Sequence, residues 1–166
     1  RGKLSSLRIL TVPPIAFNHS LPERYTDLEL IGAGGMGSVY KAKDTFLQRE
    51  VAIKFLPEGM NDPLEIKRFQ TEAKTAGNLK HKNLVTVLDF GITEEHVPYL
   101  VMEYVKGETL KTFLSKTRTF SPEFAAGVVL QIVEAMEHAH LNGIIHRDLK
   151  SSNIILNEED DYTLTV

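Results

Sequence analysis

His146-Arg147-Asp148-Leu149-Lys150-Ser151-Ser152-Asn153 is a polar stretch set between two short apolar pieces, Ile144-Ile145 before it and Ile154-Ile155-Leu156 after it. An aspartate, a lysine two positions later and an asparagine five positions later stand together in it. Before it lies the longest helical pattern of the chain. Ser121-Pro122 opens that pattern, an N-cap followed by proline at the first helical position. Ala125, Val128, Val129, Ile132 and Met136 recur at helical spacing and predict one apolar stripe. Gly143 predicts the C-terminal cap. After the polar stretch, residues 157–166 read as a short hairpin.

Further back, residues 84–90 and 99–105 read as two strands, with Gly91 and the polar residues after it as the turn between them. Asp62-Pro63-Leu64-Glu65 reads as a helix start: a cap, a proline, and a glutamate that reaches back to the cap. Ile66, Phe69, Ala73 and Ala76 follow at helical spacing. Glu72 falls between Phe69 and Ala76 on the helical wheel, so it is expected to point inward, where a carboxylate needs a partner. Residues 25–56 read as strands. Leu28 and Leu30 alternate with polar neighbours, a glycine-rich turn follows, then a strand at 38–43. A third strand at 50–56 puts Val51, Ile53 and Phe55 on one face and Ala52 and Lys54 on the other. Residues 1–24, with three prolines and a basic start, read as a leader or linker.

Bulk properties narrow the class. The 166 residues are 42% hydrophobic and 25% charged, the composition of a soluble globular chain. The net charge of −3 gives no electrostatic case for nucleic acid or an anionic membrane. With no cysteine, disulfides, thiol catalysis and thiolate metal sites are excluded. No apolar run is long enough for a transmembrane helix, and the early run at 7–17 is broken by Pro13 and Pro14. The first residue is Arg1, which reads as a processed start or as a piece of something longer.

Two further motifs carry chemistry. Gly32-Ala33-Gly34-Gly35-Met36-Gly37 lets backbone amides approach phosphate oxygens without a Cβ in the way. Alone this spacing is a weak signal. A dinucleotide-binding reading needs a helix next, whereas Ser38-Val39-Tyr40-Lys41-Ala42-Lys43 is strand-like, so a hairpin folded over a triphosphate fits better. Val51-Ala52-Ile53-Lys54 places a lysine on a strand seventeen residues after Gly37, able to reach back under the glycine loop. Glu72 on the next helix is its natural partner, the pair holding the ammonium on the nucleotide's phosphates.

Read together, residues 25–166 resemble a eukaryotic-type serine/threonine protein kinase, and the Gly34–Tyr40 wording is similar to bacterial members. The resemblance implies an α+β bilobal fold. Residues 25–105 would be an N-lobe with a five-stranded antiparallel sheet, one helix and the hinge; residues 106–166 would be part of a C-lobe with the long helix, the catalytic loop and a short hairpin. It implies ATP and Mg²⁺ as cofactors and a protein with serine or threonine as substrate. Asp148 would accept the proton of the substrate hydroxyl, Lys150 would neutralise the transferring phosphoryl group, and Asn153 would hold one Mg²⁺. Lys54 and Glu72 complete the catalytic set. His146 would be structural, and Arg147 would pair with a phosphorylated activation loop. The hinge at 102–105 would bond the adenine edge through its backbone, at Met102 (the gatekeeper position), Glu103 and Val105. Ile31, Val39, Ala52 and Ile155 would sandwich the purine under the loop of Gly32, Ala33, Gly34, Gly35, Met36 and Gly37. Ser151 departs from the family, which often has proline there. The other five histidines, at 19, 81, 96, 138 and 140, show no metal-ligand spacing.

Asp89-Phe90-Gly91 spells the metal-binding triplet of kinases, but it precedes both hinge and catalytic loop and sits in a strand-like run, so a structural turn is expected there. After Asn153 the thirteen remaining residues hold no such triplet. The expectation is therefore a kinase truncated before that motif, nearly inactive as an isolated chain, with a helix face left for a missing C-lobe or a partner to cover. The full product would act in the cytoplasm, anchored to a membrane only by a segment outside this sequence. Two other readings compete: a catalytically silent nucleotide-binding or docking module, and a dinucleotide-dependent oxidoreductase resting on the glycine loop alone.

Overall fold

The computed structural model describes residues 20–34, 37–57, 63–117, 120–157 and 164–165. The expected cap Asp62, the loop residues Gly35 and Met36, the leader to residue 19 and the turn of the last hairpin lie outside them.

Five strands make one antiparallel sheet: β1 Tyr25–Gly34, β2 Gly37–Asp44, β3 Arg49–Phe55, β4 Val87–Ile92 and β5 Pro98–Glu103, in the order β1-β2-β3-β5-β4. The alternation read from β3 holds. Val51 and Ile53 are fully buried and Phe55 nearly so, which makes β3 the natural centre of the sheet. Tyr25, Tyr40, Ala42, Val97, Tyr99 and Val101 complete this core. The Phe55 ring meets Tyr40 edge-on at 5.8 Å and Tyr99 at 5.9 Å, the offset geometries that aromatic quadrupoles favour. Helix α1, Pro63–Gly77, packs on β4 with Ala73 buried and Ile66, Phe69 and Ala76 half-buried, as its periodicity required.

Several boundaries move. Strand β4 begins at Val87, and Leu84 belongs to the second core. Gly91 and Ile92 are strand residues; the turn lies at 93–97, where Thr93 N–H donates to Val97 O at 3.0 Å and His96 adopts φ 63°. Leu30 stands opposite buried Tyr40 yet is exposed, on edge strand β1, which carries register shifts between Thr26 and Glu29 and between Leu30 and Gly32.

The second half holds β6 Gly107–Thr109, α2 Leu110–Lys116, α3 Pro122–Leu141, a 3-10 turn Ser151–Asn153, β7 Ile155–Asn157 and β8 Leu164–Thr165, with a small sheet ordered β6-β7-β8. Ser121 caps α3 as expected, its Oγ accepting from Phe124 N at 3.1 Å. At the other end Gly143 N donates to His140 O at 2.9 Å and Ile144 N to Ala139 O at 2.9 Å, a Schellman closure. The buried stripe of α3 is the expected one in part. Ala135 and Ala139 are buried with Val128, Ile132 and Met136 packed beside them, whereas Ala125 and Val129 face outward. The stripe that meets Leu84, Ile154 and Leu156 is the one the catalytic loop's flanking strand can reach. Among the described residues no helix is long and apolar enough to cross a membrane.

Candidate active site

The β1–β2 hairpin carries the glycine loop, with Gly34 opposite Gly37 and Gly32 opposite Val39. Gly37 has φ 106°, and a Cβ there would collide with the Phe55 carbonyl, so only glycine closes the hairpin onto β3. Among the described residues nothing crowds the place a Cβ on Gly34 would take. Lys54 stands opposite Val39 on one side and Leu100 on the other, which puts it on the strand directly beside the loop strand. Ala52 lies opposite Met102. Met102, Val39 and Ile155 are half-buried and Ile31 is exposed, so these apolar positions flank the hairpin and hinge without filling a core. Ile155 comes from the second sheet, opposite Thr109.

The catalytic-loop candidate is tightly turned. Arg147 adopts φ 61°, a conformation unfavourable for a residue with a Cβ, and this brings Asp148 N back onto His146 O at 2.8 Å and onto His146 Nδ1 at 3.3 Å. The Asp148 carboxylate then faces two donors: Lys150 Nζ at 2.9 Å and Asn153 Nδ2 at 2.8 Å, both on Oδ2. Asn153 Nδ2 also donates to Asp148 O at 2.9 Å, so one amide fixes both ends of the aspartate. The Lys150 hydrogen bond, helped by Asn153 and by the charge of Lys54, holds the Asp148 carboxyl below the usual carboxylate range. Burial pushes the His146 imidazole down, and the Lys54 charge adds to that.

One expected pairing is absent. Glu72 does not point inward: its side chain is 72% exposed, and its carboxylate lies 3.9 Å from Arg147 Nη1. At about 100° per residue Glu72 falls some 40° beyond Ala76, outside the arc of Ile66, Phe69, Ala73 and Ala76 that packs inward, so the acid stands in solvent. Arg147 therefore meets an acid of α1 in this structure.

Other contacts lay beyond sequence reasoning. Glu103 N donates to Thr86 O at 3.0 Å, and Thr86 N donates to the Glu103 side-chain Oε1 at 2.9 Å. Lys41 Nζ lies 4.7 Å from the centre of the Tyr104 ring and 2.6 Å from Glu50 Oε1. No motif marks Thr86 or Lys41; only the strand register brings them to the hinge. Asp89 of the misleading triplet sits in edge strand β4, paired to Arg24 Nη1 at 3.2 Å and 3.4 Å from the Tyr25 hydroxyl; the triplet is part of a strand and not the turn expected there. His81 stacks on His138 with ring centres 5.2 Å apart, and among the described residues no group of three or more His, Cys, Asp or Glu is placed to hold a metal.

Comparison with known proteins agrees with this geometry. The protein kinase domain model matches residues 25–165. Serine/threonine-protein kinase PrkC of Bacillus subtilis is 44% identical over 143 residues, 86% of this chain but 22% of that protein. Serine/threonine-protein kinase PknB of Mycobacterium leprae is 38% identical over 151 residues, 89% of this chain and 24% of the relative. The crystallised kinase domain of Mycobacterium tuberculosis PknI superposes with a TM-score of 0.75 at 25% identity, over 89% of this chain and 60% of that one. The chain thus spans under a quarter of the length of these two curated relatives. With the glycine hairpin, the β3 lysine and the Asp148–Lys150–Asn153 cluster all in place, the chain belongs to the protein kinase family.

Proposed function

We propose that these residues hold ATP and, within the protein that carries them, transfer its γ-phosphoryl group to serine or threonine hydroxyls of protein substrates. The observation that carries this reading is the Asp148 carboxylate, whose Oδ2 is held by both Lys150 and Asn153. In the reaction the substrate hydroxyl oxygen forms a bond to the γ-phosphorus, the bond from that phosphorus to the β,γ-bridging oxygen breaks, and ADP leaves. Asp148 accepts the hydroxyl proton, and Lys150, at 2.9 Å from it, offers positive charge where the phosphoryl group passes. Lys54 would hold the phosphates beneath the glycine hairpin. The hinge carbonyl and amide groups of Glu103 and Val105 would meet the adenine edge, with Ile31, Val39, Ala52, Met102 and Ile155 on its faces.

The residues fit Mg²⁺ in part. Asn153 commits its amide nitrogen to Asp148, which directs a hard oxygen donor elsewhere, and Mg²⁺ commonly completes its shell with phosphate oxygens and water. When bound, the ion would neutralise the β- and γ-phosphate oxygens. Use of ATP supports a cytoplasmic reaction.

A test is Mg²⁺-dependent transfer of labelled γ-phosphate to a serine-containing protein. Asp148→Asn should cut transfer by roughly 10²–10⁴ while leaving ATP affinity intact; no ATP binding by the wild type sinks the reading. A second reading, a nucleotide-binding or docking module without catalysis, is favoured by one observation: Glu72 pairs with Arg147 instead of Lys54. Under it, ATP binds and Asp148→Asn changes nothing measurable.

A further inference from the structure

In an antiparallel ladder, hydrogen-bonded pairs, which exchange both main-chain bonds, alternate with pairs that exchange none. Val87 stands opposite Met102, so the next pair in register is Thr86 with Glu103. Half of the exchange is made: Glu103 N donates to Thr86 O at 3.0 Å. The other half is diverted. The Thr86 amide donates at 2.9 Å to the Glu103 side chain, where continuation of the ladder would give it the Glu103 main-chain carbonyl. The strand ends at this residue.

We propose that the Glu103 carboxylate, by taking the Thr86 amide in place of its own carbonyl, frees that carbonyl to accept from the amino group of an adenine ring, and so positions the base-selecting acceptor of the hinge. This rests on the nucleotide reading above and deepens it: Glu103 acts here as a positioning residue through its side chain. The peptide that carries the carbonyl is steadied at its far end too. Lys41 lies over the Tyr104 ring at 4.7 Å and is itself held by Glu50 at 2.6 Å. A carbonyl held this way favours a base bearing an exocyclic amino donor. Adenine carries an amino group where guanine carries a carbonyl oxygen, which would face the hinge acceptor with a lone pair. If the side chain is removed, the Thr86 amide turns to the main-chain carbonyl and the acceptor is lost to the ladder.

The experiment measures dissociation constants for ATP, GTP and inorganic tripolyphosphate on the protein and on Glu103→Ala and Glu103→Gln. The expected result is a preference for ATP over GTP that narrows roughly three- to tenfold in Glu103→Ala, the size of one net hydrogen bond. Tripolyphosphate affinity stays unchanged, because it never meets the hinge. Glu103→Gln keeps the preference, since its side-chain oxygen still accepts from Thr86. A Glu103→Ala variant that keeps the full ATP preference overturns the proposal even if its melting temperature falls, because the side chain is then only a strand clip. A wild type that binds tripolyphosphate but does not distinguish ATP from GTP also overturns it while leaving the phosphate site standing. A wild type that binds none of the three overturns the nucleotide reading itself, and this proposal with it.

Discussion

The Glu72 carboxylate lies 3.9 Å from the Arg147 guanidinium, so the acid that motif order pairs with Lys54 is held beside the catalytic loop instead. Both side chains are largely in water, 72% and 76% exposed. Such a pair is worth about 0–1 kcal/mol and is screened by salt. Arg147→Ala should therefore shift the urea midpoint only slightly, by less than about 1 kcal/mol in stability. A loss several times larger would mean that this pair is buried in solution and that Glu72 is locked away from Lys54.

The same two residues mark where sequence reading stopped. The local settings of Gly37, Lys54, Asp148, Lys150 and Asn153 were legible, because each is tied to a local requirement: a closing hairpin against Phe55, a strand face, a tight polar turn. Glu72 was misplaced although the buried face of α1 was read correctly: at about 100° per residue it lies outside the arc of Ile66, Phe69, Ala73 and Ala76, not within it. On α3 a difference of roll takes Ala135 inward in place of Val129. Thr86 and Lys41 were illegible because their roles arise from register between strands distant in sequence, and register appears only when the sheet is assembled.

If Asp148 accepts the hydroxyl proton as proposed above, it sets an acid limb for turnover. Its carboxyl lies below the usual range, first through the Lys150 hydrogen bond. The ionised form accepts the proton, so activity is present above its pKa and lost as pH falls through it; the lowered pKa carries activity to more acid pH. Lys150→Met should move the acid limb of the pH–rate profile upward. Asp148→Asn should remove general-base catalysis, a loss of roughly 10²–10⁴ in kcat. An acid limb that does not move in Lys150→Met would detach Lys150 from the state of Asp148.

His146 gives a pH dependence of stability with a definite sign. Burial depresses its folded pKa below the ordinary 6.5, and its Nδ1 accepts from Asp148 N at 3.3 Å, which needs a neutral ring. As pH falls through 6.5 the unfolded chain takes up the proton first, so stability declines from there down to the folded pKa. Above that window the neutral ring contributes no slope. His146→Asn should flatten the stability profile between about pH 7 and the folded pKa. Equal slopes in variant and wild type, read from urea midpoints, would refute the assignment.

Gly91 tests whether the early Asp89-Phe90-Gly91 triplet is structural. Gly91 stands opposite Tyr99 across the β4–β5 pair, and a Cβ on it would run into the Tyr99 ring. That ring is buried and packs on Phe55, so it has nowhere to swing. Gly91→Ala should therefore cost about 1–3 kcal/mol of stability, the usual cost of forcing extra carbon into a packed core. Asp89 meanwhile accepts from Arg24 at the sheet edge, far in topology from Asp148. Asp89→Asn should leave Mg²⁺-dependent ATP binding within about twofold of wild type, since a change of that size is only ~0.4 kcal/mol. Asn153→Ala, in contrast, should weaken it. Loss of Mg²⁺-dependent binding in Asp89→Asn, with the protein still folded, would return the triplet to the metal site and overturn the order of motifs on which the family reading of Asp148 and Asn153 rests.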